Sequence, residues 1–95
     1  MPTFSLTDQF RRDFAGLTAA QKAAFRAAAA KLAVDLPSQS FRPGLRVRGV
    51  QGAAGVFEMT CADDGRATFE YGSVREGETH IIWRRVRSRT IFTRP

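Results

Sequence analysis

The sequence predicts an α+β fold: two N-terminal helices packed on one face of a four-stranded antiparallel sheet, in a single domain spanning residues 1–95. Three observations predict it. Apolar residues recur at helical spacing through the first third of the chain. After Pro43 and Gly44 the period changes to two, the period of a strand. The alternating segments are joined by short polar links rich in Gly and Asp, which suit hairpins between antiparallel neighbours. A chain of 95 residues has room for one modest core and no second domain.

The first helix is expected over 7–16. Thr7 caps it, Phe10, Phe14 and Leu17 form one apolar stripe, and Gly16 ends it. The second spans 19–35. Thr18 with Gln21 three residues on spells a capping box, and the alanine run has the highest helix propensity. Phe25, Ala28 or Ala29, Leu32 and Leu36 are its buried stripe, and Pro37 stops it. Strands follow at 45–50, 56–61, 66–71 and 80–86. The Asp63-Asp64-Gly65 turn is the strongest hairpin signal among them. Alternation sends Leu45, Val47, Phe57, Met59, Cys61, Ala67, Phe69, Tyr71, Ile81 and Trp83 toward the helices. The opposite face then collects Arg46, Arg48, Glu58, Thr60, Arg66, Thr68, Glu70, His80 and Arg84, a basic surface with one imidazole and two carboxylates.

Charge is unevenly spread. The formal net charge is +6, from 15 Lys plus Arg against 9 Asp plus Glu. All but Lys22 and Lys31 are arginine, whose planar fork of donors suits phosphate and carboxylate. The stretch 63–83 is acidic on balance, whereas 84–95 holds Arg84, Arg85, Arg87, Arg89 and Arg94 and no acid. That end points to a polyanion or an acidic protein partner. Other classes are excluded by inventory. Cys61 is the only cysteine, so no internal disulfide forms, and a reducing cytoplasm is the expected compartment. One Cys with one His cannot make a zinc site alone. No apolar run is long enough to span a membrane, and the N-terminus does not read as a secretion signal. There is no nucleotide-binding glycine loop and no serine nucleophile elbow.

The open face has two readings from its residue types. It is an ordinary polar sheet surface with cross-strand pairs such as Glu58 and Arg66. Alternatively, arginines beside Glu58 and His80 supply the parts for RNA cleavage without a metal: a base for the ribose 2′-OH, a cation for the phosphate and an acid for the leaving 5′-oxygen.

The segments "LRVRGVQGAAGVFEM", "DGRATFEYG" and "HIIWRRVRSRTIF", together with the α-α-β-β-β-β order, resemble the RelE/ParE toxin superfamily, most of all the RelE-type toxins of bacterial type II toxin–antitoxin systems. The resemblance covers nearly the whole chain and is strongest over 44–92. It implies a ribosome-dependent mRNA endonuclease that works without a cofactor, and a cognate antitoxin protein that neutralises it. Ribosome and mRNA are then the other partners. The implied catalytic set is Arg66, Arg89, Glu58 and His80, and the implied RNA-binding set is Arg46, Arg48, Arg84, Arg87 and Phe92. Arg89 stands before the aromatic Phe92 at the spacing of the family. The chain departs from the family's I-G-T-H-D-I-F pattern, reading Val86-Arg87-Ser88-Arg89-Thr90-Ile91-Phe92 instead. No imidazole remains there, which leaves His80 as the alternative acid. Phe92 keeps a surface for stacking a base but has no hydroxyl. A gyrase-inhibiting toxin of the ParE kind, a catalytically decayed homologue that still binds its antitoxin, and a simple basic nucleic-acid-binding module are the competing expectations.

Overall fold

A computed structural model describes residues 2–61 and 65–87. The elements are β1 (Thr3–Leu6), α1 (Asp8–Ala15), α2 (Ala19–Asp35), two single 3₁₀ turns (Leu36–Ser38 and Pro43–Leu45), β2 (Arg48–Gly49), β3 (Val56–Thr60), β4 (Arg66–Tyr71) and β5 (His80–Arg87). The sheet has five strands in the order β1-β5-β4-β3-β2. β1 runs parallel to β5, and the other pairs are antiparallel. The expected four-stranded antiparallel sheet is therefore corrected to a five-stranded mixed one. β1 is four residues long and its partner lies at the other end of the chain, so neither a period nor a hairpin link announces it.

The helices form where the caps place them. The Phe10 N–H donates to Thr7 Oγ1 at 3.1 Å. The same hydroxyl donates to the Arg84 carbonyl at 2.9 Å, so the cap also ties α1 to β5. Thr18 and Gln21 make both bonds of the capping box, at 2.8 and 3.1 Å. α1 and α2 cover one sheet face. There Phe10, Phe25, Leu32, Met59, Ala67, Phe69, Ile81 and Trp83 are buried together. Trp83 anchors that core, with ring centroids of Phe25 and Phe69 at 5.0 and 5.4 Å. Tyr71, expected in the core, is exposed and meets Phe57 and Phe69 edge-on.

Two local features reshape the open face. Residues 45–50 do not form one strand. Pro43 to Leu45 close a 3₁₀ turn, and Arg46 is left-handed at φ 49° while its N–H bonds the Pro43 carbonyl at 3.1 Å. Pairing with β3 therefore begins only at Arg48. Secondly, β5 carries a bulge: Phe69 stands opposite Trp83 and Thr68 opposite Arg85, so Arg84 is the extra residue. Neighbouring arginines diverge, as strand alternation expects. Arg84 bonds Glu70 at 3.2 Å, whereas Arg85 reaches Asp13 of α1 at 2.6 Å.

Candidate functional site on the open sheet face

On the face away from the helices, β2 to β5 set side chains in rungs. One rung runs Arg48, Glu58 and Thr68; Arg85 stands opposite Thr68 in the register, but its guanidinium goes to Asp13 of α1. The next runs Thr60, Arg66, Arg87. The Glu58 carboxylate is buried, with 7% of its side chain exposed, and it accepts a hydrogen bond from Nε of Arg48. Arg48 is 75% exposed on a two-residue edge strand. Glu58 is thus a carboxylate withdrawn from water, held by a cation that itself remains in water. Directly beside it, Arg66 and Arg87 are cross-strand partners. Like charges set directly opposite each other cost stability unless an anion lies near them. Arg66 Nη1 also donates to the Gly65 carbonyl at 2.9 Å. On the third rung Glu70 takes Arg84.

The structure therefore gathers Arg48, Glu58, Arg66, Arg84 and Arg87 on one face. It separates two other predicted residues from them. Arg46 falls outside the β2–β3 pairing, at a left-handed turn, and is set apart from the Arg48–Glu58 rung. His80 lies at the β1 edge, two strands from Glu58 and, by strand rise, on the order of 15 Å further along. There it is buried, with Thr3 Oγ1 at 2.7 Å from Nδ1 and Ser5 Oγ at 3.2 Å from Nε2. Burial, helped by the charge of Arg75, holds its pKa below the ordinary imidazole value, so the ring is neutral. Gly72 faces it so closely that a Cβ there would come within 2.7 Å of His80 Cδ2. Arg89 and Phe92 lie outside the described residues, as do 62–64 of the expected hairpin turn.

Sequence reasoning missed Thr3 and Ser5, because β1 was missed. It also missed Asp13, whose signal was readable: the position lies three residues from Phe10 on the buried stripe of α1, where a carboxylate needs a partner. Among the described residues no group of three or more His, Cys, Asp and Glu is placed to hold a metal ion. No helix among them is long and apolar enough to cross a membrane.

No protein-family model and no curated protein sequence matches the chain. Solved structures do. A YoeB/ParE toxin from Agrobacterium tumefaciens superposes with a TM-score of 0.65 at 11% identity, over 90% of this chain and 96% of that one. The RelB–RelE antitoxin–toxin complex of Methanococcus jannaschii gives 0.60 at 16% identity, covering 94% of each. The E. coli DinJ–YafQ toxin–antitoxin complex gives 0.63 at 13%, over 94% of this chain and 93% of that one. The chain has the RelE/ParE toxin fold. At these identities the fold is what is shared, and the site rests on this chain's own residues.

Proposed function

We propose that the protein is the toxin of a type II toxin–antitoxin system and that it cuts mRNA on the ribosome. One observation carries the reading: a buried carboxylate, Glu58, sits on the open face one rung from the Arg66–Arg87 pair, within a fold shared with toxins. Glu58 takes the proton of the ribose 2′-OH. The freed oxygen attacks the adjacent phosphorus, the bond to the 5′-oxygen breaks, and solvent returns a proton to that oxygen. A 2′,3′-cyclic phosphate and a 5′-hydroxyl result. Arg66 and Arg87 stabilise the charge that builds on the phosphate, which is the largest contribution expected of such a site. Arg48 orients Glu58, and Arg84 extends the positive surface along the strand. Arg89 and Phe92 remain candidates for phosphate contact and base stacking. His80 is not part of this set, because it is neutral, buried and distant. The antitoxin complexes among the structural neighbours support a cognate antitoxin as the protein partner.

The test is cleavage of a defined mRNA by purified protein, with and without stalled ribosomes, the new 5′ ends being mapped by primer extension. Cuts confined to the ribosomal A site, lost in Arg66→Ala, are the expected result. A folded sample that leaves mRNA intact on ribosomes refutes the nuclease reading.

A further inference from the structure

Between α2 and the ends of β3 and β4 lies a cleft of about 490 Å³. A volume of that size accommodates a small-molecule-sized group. Its wall is formed by Ala24, Ala27 and Ala28 of α2, and these short side chains are what leave the space. Its rim carries Lys31, Arg42, Arg46 and Arg66, and no acidic residue lines it among those described. The nearby acid, Asp35, is committed to Arg42. It accepts from Nε and Nη2, each at 2.9 Å, and from the Arg42 N–H at 3.0 Å. Those bonds bring the Asp35 pKa down to about 2, so it stays ionised and keeps the Arg42 fork in one orientation. Cys61 also lines the cleft, but burial pushes its thiol up to about 12, so it adds no charge.

Arg46 is the unusual member. It holds a left-handed backbone, φ 49° and ψ 47°, a conformation that glycine adopts without cost and that a long side chain rarely takes. Gln39 caps the preceding 3₁₀ turn in the same conformation, and at Arg46 the cap sets the residue at the rim of the cleft. The cleft also joins the candidate site. Thr60 and Arg66 belong to the open-face rung beside Glu58, and both line the cleft.

Taking the RNA reading above as its basis, we infer that the cleft is a phosphodiester-binding subsite, which holds the RNA strand where it leaves the sheet face, with Lys31 and Arg46 as its grips. Both residues lie outside the cutting machinery. The Arg42 fork is held by Asp35, whereas Arg46 and Arg66 are arginines of the rim whose donor geometry matches a phosphate, and the cleft opens onto the rung where the cut bond would lie.

The experiment is fluorescence anisotropy of a labelled single-stranded RNA of mixed sequence, titrated with the full chain over a series of salt concentrations. Each phosphate contact contributes about 0.7 to the slope of log affinity against log salt. Lys31→Gln and Arg46→Gly are each expected to lower that slope by about 0.7, and the double variant by about 1.4. Arg11→Gln, on the surface of α1, should leave it unchanged. Arg46→Gly relieves the left-handed strain, so its thermal midpoint should not fall, and weaker binding is then not unfolding. A double variant with the wild-type slope overturns the inference. So does competition by poly-glutamate that displaces the RNA from the wild type and is itself lost in the double variant, because the cleft would then serve an acidic polypeptide. The two readings fail separately. A lowered slope without ribosomal cuts keeps the subsite and removes the nuclease, and ribosomal cuts with an unchanged slope do the reverse.

Discussion

Asp13 with Arg85 and Glu58 with Arg48 are one chemical pair in two settings. On the helix side, 4% of the Asp13 side chain and 15% of the Arg85 side chain are exposed. Their N–O distance is 2.6 Å, and the Gln9 amide and the Val86 N–H complete the carboxylate. On the open face only the acid is buried. Its arginine projects from a two-residue strand at the sheet edge. A closed pair with all its bonds made inside the protein is a clasp, and here it fixes α1 to the bulge of β5. A half-open pair is easily remade, because water or a substrate phosphate can take over the arginine. Both acids present a carboxylate to an arginine, and solvent access distinguishes the two pairs.

The largest effect should come from opening the clasp. Asp13→Ala removes the carboxylate that the buried Arg85 guanidinium bonds, and breaking a buried pair in this way costs about 3–5 kcal/mol. Urea unfolding followed by Trp83 fluorescence measures it. A loss under about 1 kcal/mol would mean that the pair does no more than a surface bridge. Glu58→Gln should do the opposite. Stability changes by about 1 kcal/mol, while mRNA cleavage on ribosomes falls at least about 10²-fold, the ordinary contribution of a general base. If Glu58→Gln cuts normally and unfolds easily, the two pairs are alike and the open face is structural.

Sequence and structure part company where long-range pairing decides. The caps at Thr7 and Thr18, the stripe Phe10, Phe25 and Leu32, and the alternation of β3, β4 and β5 were readable because each is a local signal. Arg84 on the open side and Arg85 on the other follow from the same alternation. The place of Arg87 was not readable, because it stands opposite Arg66 only through the extra residue in β5, and a bulge leaves no mark in a single sequence. His80 was misread for a similar reason. Its neighbours are the hydroxyls of Thr3 and Ser5 on a strand with no sequence signature, so a satisfied structural histidine looked like a free one. Of the candidate site, the neighbourhood of Glu58 and Arg66 was legible, since it depends only on register between consecutive hairpin strands.

His80 gives a control region that should follow the clasp. Gly72→Ala drives a Cβ toward the imidazole, at 2.7 Å before any adjustment. The overlap should cost about 1–3 kcal/mol of stability and leave cleavage by the folded fraction unchanged. Reduced turnover per folded molecule would bring the β1 edge into the functional site.

The smallest effects are expected in pH dependence, and they separate the same regions by sign. Burial raises the Asp13 pKa, but the bonds from Arg85, Gln9 and Val86 outweigh it and leave the carboxyl below its ordinary value of 3.8. Its stabilisation is therefore whole above that value and drains as pH falls through the lower folded one. His80 is also depressed, from 6.5, here because burial disfavours the charged ring. The unfolded chain then binds the proton first, so stability is complete above pH 6.5 and declines as pH drops below it. Unfolding free energies between neutral and mildly acidic pH should show that decline in the wild type and lack it in His80→Gln. Cleavage per folded molecule should not track the imidazole, since the proposed reaction places the proton on Glu58, two strands away. An activity profile that follows His80 and vanishes in His80→Gln would move the acid–base chemistry to the β1 edge and reverse the roles assigned to the two regions.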